Sequence, residues 1–88
     1  MVNHYIAAMG EVALIRGKPA EAARLFGAAD AFLKSLGVRF EPTDQAAFEQ
    51  NMTAARAQLG ATLYDLRFAE GARWSKAEAI AASIPLRD

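Results

Sequence analysis

The sequence predicts an all-α fold of about five helices. Apolar residues recur at steps of three and four in each segment, and no segment alternates with period two over a useful length. Glycine and proline separate these segments, as expected where one helix ends and the next begins. We therefore expect a single helical domain over residues 1–88. It would consist of an antiparallel hairpin over 2–36 and a smaller C-terminal helical cap over 43–84.

The first two helices are predicted with a short connection between them. The first runs from about Val2 to Arg16, and the second from about Pro19 to Leu36. Pro19 suits the first turn of a helix, and Gly37 suits the left-handed residue that follows the last turn. The expected apolar side of the first helix is Tyr5, Ile6, Met9, Val12 and Ala13. That of the second helix is Ala22, Leu25, Phe26, Ala29, Phe32, Leu33 and Leu36.

The third helix is predicted from about Thr43 to Leu59. Pro42, Thr43 and Asp44 give it a plausible capped start. Its expected apolar side is Phe48, Met52, Ala55 and Leu59. The fourth helix, from about Ala61 to Glu70, is expected to end before Gly71. It offers two apolar pairs, Leu63 with Leu66 and Tyr64 with Phe68.

The fifth helix is predicted from about Lys76 to Ser83. It opens with Ser75 and Glu78 at the spacing of a capping box, in which each side chain satisfies a backbone N–H of the first turn. Its expected buried side is Ala77, Ile80, Ala81 and Ile84.

The amino-acid composition argues against several classes of function for this protein. The chain has 10 Lys plus Arg and 10 Asp plus Glu, whereas nucleic-acid-binding domains normally carry a basic excess. We therefore expect no direct contact with nucleic acid. It has no cysteine, so disulfides, thiolate catalysis and the usual structural zinc sites are excluded. The absence of a long apolar run predicts no membrane span. We expect a cytoplasmic protein without cofactor, metal or catalytic residues.

The tripeptide Gly17-Lys18-Pro19 invites comparison with a phosphate-binding loop. Such a loop needs a second glycine, a hydroxyl residue after the lysine and a preceding strand. Proline follows Lys18, and the segment before it is predicted to be helical, so we interpret the tripeptide as a helix–helix turn. The single histidine, His4, is expected at the surface, because the sequence pairs it with neither a nucleophile nor an orienting carboxylate.

Alanine is abundant in the first two helices, and small side chains allow helix axes to approach closely. With their three-residue connector, these helices resemble a tetratricopeptide repeat. Gly10 falls on the small position of the first helix in that repeat, and Ala22, Phe26 and Ala29 fall on the three packing positions of the second. The resemblance implies that these four residues pack the two helices together.

A longer resemblance covers nearly the whole chain. The pieces that carry it are AARLFGAA (22–29) and EGARWS (70–75) with Glu78 and Ala79. They are similar to the C-terminal region of LuxR-type and related ATPase-containing bacterial transcriptional regulators, whose sensor regions are tetratricopeptide-like. The resemblance implies a region that binds partners or effectors and carries no catalysis.

We therefore expect a protein-interaction or regulatory scaffold domain whose partner is another protein or a second copy of the chain. The possible partner surface comprises Tyr5, Glu11, Val12 and Ile15 of the first helix, with Arg73 and Trp74 near the C-terminal end. Trp74 has a simpler interpretation, in which it closes the base of the core. Two other functions remain open, a homodimerisation module and a helical domain that binds a small-molecule effector.

Overall fold

The computed structural model describes residues 2–87, with side chains described for residues 4–86. Across that part of the chain the structure is helical and contains no strand, which confirms the predicted all-α fold. The elements are α1 (Val2–Ile15), α2 (Pro19–Leu36), α3 (Pro42–Leu59), α4 (Ala61–Ala72), α5 (Lys76–Ser83) and a final 3₁₀ turn (Ile84–Arg87).

Helix α2 is the centre of the fold. The other four helices contact it, and its five successive residues from Leu25 to Ala29 are all buried. The sequence assigned α2 a single apolar stripe. Because alanine and glycine occupy much of its remaining surface, neighbouring helices can pack on several sides at once. Leu36, at the C-terminal end of the predicted stripe, is 57% exposed.

The turn between α1 and α2 closes with a left-handed glycine. Gly17 has φ 74° and donates from its N–H to the carbonyl oxygen of Leu14 at 3.1 Å. The N–H of Lys18 donates to the carbonyl oxygen of Ala13 at 2.8 Å, and Pro19 is the first residue of α2. These bonds satisfy carbonyls that the end of α1 leaves free. The tripeptide is therefore the predicted helix–helix connection.

Two glycines bring α2 and α4 into backbone contact. A β-carbon added to Gly71 would overlap the carbonyl oxygen of Arg24, and one added to Gly27 would lie 2.9 Å from the carbonyl carbon of Phe68. Gly71 is thus part of α4, which continues to Ala72, and the expectation that the helix ends before it was wrong. The physical reason is that glycine is needed here for close approach of two backbones, not for a turn.

An aromatic cluster closes the core between α1, α2 and α3. The Phe48 ring meets the rings of Phe26 and Phe40 edge to face, with centroids 5.7 and 5.2 Å apart. His4 stacks on Phe40 at 4.8 Å. This geometry is favourable for aromatic pairs, and it fixes the N-terminal half of α3 on the hairpin.

The start of α3 differs from the prediction. The helix begins at Pro42, and no side chain caps it. Because proline has no N–H and its φ suits the first helical position, Pro42 starts the helix itself, and Thr43 and Asp44 lie inside the first turn.

The predicted capping box at the start of α5 is confirmed. The Ser75 N–H donates to Oε1 of Glu78 at 2.9 Å, and the Glu78 N–H donates to Oγ of Ser75 at 3.2 Å.

The buried face of α5 was predicted wrongly. Ala79 and Ser83 are fully buried, whereas Ile80 and Ile84 are 37% and 51% exposed, and Ala77 and Ala81 are also exposed. The hydroxyl of Ser83 donates to the carbonyl oxygen of Ile80 at 2.7 Å and has a second partner in Tyr5. Burying a hydroxyl that keeps its hydrogen bonds costs little free energy, so α5 can pack with the side that carries Ala79 and Ser83 against the core.

Candidate functional site

The candidate site is an open groove of about 640 Å³ between α3 and α4, which we call the α3–α4 groove. Its apolar floor is formed by Met52, Tyr64 and Phe68, and its polar rim by Glu49, Thr53, Arg56 and Asp65. The Tyr64 and Phe68 rings lie 5.7 Å apart. The arrangement combines an apolar surface with a few polar groups, as binding sites commonly do.

A one-residue connection holds the two walls of the groove together. Gly60 joins α3 to α4 with φ 87°, which a residue with a side chain rarely adopts. Across this turn, Nη1 of Arg56 on α3 donates a hydrogen bond to Oδ1 of Asp65 on α4 at 3.1 Å. The Arg56 guanidinium also lies over the ring of Tyr64, 5.8 Å from its centroid. Arg56 therefore links α3 to α4 at the rim.

Tyr64 carries a polar group without a partner. Its side chain is 5% exposed, and its hydroxyl is the one buried side-chain polar atom without a hydrogen bond among the described residues. Burial raises the pKa of Tyr64 to about 12; Arg56 opposes the rise, while Asp65 and Asp30 add to it. The phenol therefore stays neutral at ordinary pH and keeps an unused hydrogen-bonding capacity beneath the groove.

The rim carries one uncompensated charge. Arg56 and Asp65 neutralise each other across the turn. Glu49 is exposed and accepts a hydrogen bond from Nε2 of Gln45 at 3.3 Å, but it forms no ion pair with any described residue. The groove therefore has a net negative rim, centred on Glu49.

A second ionic group braces α4 on α2 beside the groove. Nε of Arg24 bonds Oε1 of Glu70 at 2.9 Å, and Arg67 bonds the other oxygen of the same carboxylate. The hydrogen bonds from Arg67 and Arg24 lower the pKa of Glu70. The network links α2 to α4, but because this carboxylate is exposed, it contributes little to stability.

His4, on α1, lies outside the lining of the α3–α4 groove. Its Nε2 is 3.6 Å from Oδ2 of Asp44, and its side chain is 47% exposed, so the expected surface position is confirmed. The structure pairs it with an acidic residue that sequence reasoning did not identify. Glu11 and Asn51 line the same small cleft between α1 and α3. Within the described residues no cluster of three metal-ligating side chains is present.

The residues predicted to form a partner surface are dispersed. Tyr5 bonds Oγ of Ser83 at 2.9 Å through its hydroxyl, and Val12 and Trp74 pack against the core. Glu11, Ile15 and Arg73 are exposed, with Ile15 reaching 76%.

The residues predicted to pack the two helices of the repeat are all buried. They are Gly10, Ala22, Phe26 and Ala29. Gly10 lies against the ring of Phe26.

Sequence reasoning did not single out the α3–α4 groove. Met52 and Phe68 lie on apolar stripes with helical spacing, and that spacing is the same for a groove floor as for a core. The one usable signal was the single residue, Gly60, between two predicted helices, since so short a connection keeps the end of the third helix next to the start of the fourth. Which side chains line the resulting opening depends on how α4 packs on α2.

Comparison with known proteins gave no assignment. No family model, curated protein or solved structure matches the chain. Within residues 2–87 no helix has both the length and the apolar character needed to cross a membrane.

Proposed function

We propose that this chain is a non-catalytic protein-interaction domain whose α3–α4 groove receives an apolar segment of a partner protein. The observation that carries the proposal is the combination of an apolar floor with a buried, unpartnered hydroxyl at Tyr64. A buried hydroxyl without a partner costs free energy, about 1–3 kcal/mol. Such a loss of stability is tolerated at a binding surface, where the residue serves recognition and not the stability of the fold.

The shape of the groove favours a helical partner segment. Two helices form its walls, and grooves of this kind recognise amphipathic helices through apolar residues at successive turns. Met52 suits this role because its flexible, polarisable side chain adapts to different partners. Phe68, half-buried against the core, offers an aromatic surface of the type enriched at interaction sites.

The rim selects the charge of the partner. Glu49 is exposed, and Arg56, the cation that shares the rim, is paired with Asp65, so a lysine or arginine beside the apolar residues of the partner would complement Glu49. An acidic partner would place like charges together, which disfavours the complex. We therefore propose a basic amphipathic segment as the class of ligand.

Two further functions are each favoured by one observation. A homodimerisation module is favoured by the exposed leucines of α4, Leu63 at 38% and Leu66 at 56%, because exposed apolar faces often mark interfaces. A small-molecule effector site is favoured by the unused hydroxyl of Tyr64. The groove has an open rim and an apolar floor, so we rank protein recognition first.

The biological setting proposed here follows from the sequence resemblance. The motifs AARLFGAA and EGARWS support a tetratricopeptide-like region of, or related to, a bacterial transcriptional regulator that acts in signal transduction. In that setting the domain would be cytoplasmic, and its absence of cysteine suits such a location.

The proposal is tested with two synthetic helical peptides of equal length, one of leucine and lysine and one of leucine and glutamate. Fluorescence anisotropy of the labelled peptides should show that the basic peptide binds more tightly. Met52→Glu should weaken its binding at least tenfold, because it places a charge on the groove floor. Leu66→Glu, a matched change on the exposed outside of α4, should have no effect. The proposal fails if the basic peptide does not bind or if both variants act alike.

A further inference from the structure

The turn between α1 and α2 presents the chemistry that the α3–α4 groove is proposed to recognise. Ile15 is 76% exposed, the largest fraction for any large apolar side chain among the described residues. Arg16 and Lys18 follow it in the turn, both are exposed, and neither forms an ion pair with a described residue. An apolar residue followed by two unpaired cations is the pattern that complements an apolar floor beside Glu49.

The local backbone explains why Ile15 is exposed and why it is held in one place. It is the last residue of α1, and the left-handed Gly17 then reverses the chain. The N–H of Arg16 donates to the carbonyl oxygen of Val12 at 3.0 Å, which continues the helical pattern one residue further. The turn is therefore pre-organised, and an ordered segment loses less conformational entropy on docking than a flexible one.

We infer that the α1–α2 turn of one molecule docks in the α3–α4 groove of a second copy of this chain. Ile15 would lie on Met52 and Phe68, and Arg16 or Lys18 would pair with Glu49. A second copy suits the groove because its turn matches both the apolar floor and the charge of Glu49. The inference rests on the proposed function, since it requires the groove to be a protein-binding site.

This contact would be heterologous, because the turn and the groove are different surfaces of the molecule. Each molecule then offers one turn and one groove. Such contacts close into a ring where the geometry permits, and otherwise extend into a chain. A heterologous contact has a diagnostic consequence, since a molecule with a damaged turn still has an intact groove.

Sedimentation velocity over a wide concentration range tests the inference. The wild-type protein should sediment faster as concentration rises. Ile15→Glu and Met52→Glu should each weaken self-association at least tenfold. An equimolar mixture of these two variants should form a 1:1 complex, because one supplies the groove and the other the turn. Circular dichroism should first show that each variant keeps the helical content of the wild-type protein.

A charge exchange gives a second readout of the same contact. Glu49→Lys should weaken self-association, and combining it with Arg16→Glu and Lys18→Glu should restore it. The inference is overturned if the wild-type protein is a monomer at all concentrations, or if Leu66→Glu abolishes association while Ile15→Glu does not. If the protein is monomeric but Met52→Glu still abolishes binding of the basic peptide, only this inference falls. If Met52→Glu leaves peptide binding unchanged, the proposed function falls with it.

Discussion

The carbonyl oxygen of Arg24 lies against the α-carbon of Gly71, in the space that a β-carbon would occupy. Gly27 stands in the same relation to the carbonyl of Phe68. Helices α2 and α4 therefore touch through their backbones at two points. This contact sets the position of Phe68 and Tyr64, and with them the floor of the α3–α4 groove.

Replacing Gly71 by alanine should destabilise the protein. The new methyl group would overlap a backbone carbonyl, which cannot rotate away as a side chain can. Overpacking costs about 1–3 kcal/mol or more, and the better helix propensity of alanine returns about 1 kcal/mol. We expect a net loss of about 1–2 kcal/mol in the free energy of unfolding, measured with urea. Ala69→Ser, on the exposed side of α4, should change it by less than about 0.5 kcal/mol. An unchanged midpoint in Gly71→Ala would show that the helices do not meet there.

Replacing Tyr64 by phenylalanine should stabilise the folded state at neutral pH. The change removes a buried hydroxyl that has no partner and keeps the ring that packs beside Phe68. We expect a gain of about 1 kcal/mol in the free energy of unfolding, measured by urea denaturation. A loss of similar size would mean that the hydroxyl has a partner in solution.

The same residue predicts a pH dependence in the alkaline range. Burial raises the pKa of Tyr64 from 10.0 to about 12 in the folded protein. The unfolded chain therefore loses this proton first, and the contribution to stability is fully present below pH 10. It is lost as the pH rises through about 12, with a total of roughly 2–3 kcal/mol. The difference in unfolding free energy between the wild-type protein and Tyr64→Phe should change by this amount over that interval. A constant difference would contradict the raised pKa.

Tyr5 should contribute to stability through one hydrogen bond between α1 and α5. The Ser83 hydroxyl uses its proton on the carbonyl of Ile80, so the Tyr5 hydroxyl is the donor in the 2.9 Å bond to Ser83. Tyr5→Phe should lower the unfolding free energy by about 1 kcal/mol. Thermal denaturation would measure this loss against Ser35→Ala, which removes an exposed bond to the carbonyl of Phe32. Equal effects of the two changes would argue against an ordered link to α5.

The bounds of α2 and α5 could be predicted because their ends carry local signals. Pro19 and Gly37 bracket α2, and Ser75 with Glu78 caps α5, all through interactions within a few residues in sequence. Such signals depend little on tertiary packing. The all-α fold followed from the apolar spacing for the same reason.

The features that the sequence did not reveal depend on tertiary contacts. In the sequence, a glycine such as Gly71 looks the same whether it ends a helix or lies against the backbone of a neighbouring helix. The buried face of α5 was misassigned because burial of Ser83 depends on Tyr5, which is 78 residues away. The α3–α4 groove was missed because Met52 and Phe68 have the spacing of core residues, and only the packing of α4 on α2 exposes them.

The most direct test of the central claim is to map where the leucine–lysine peptide binds by nuclear magnetic resonance. Titration into isotopically labelled protein should shift the amide signals of Met52, Thr53 and Phe68 and the ring signals of Tyr64. The exposed outer faces at Leu66 and Ile80 should stay unchanged. Shifts confined to those outer faces, or none in the groove at saturating peptide, would contradict the assignment of the α3–α4 groove as a protein-binding site.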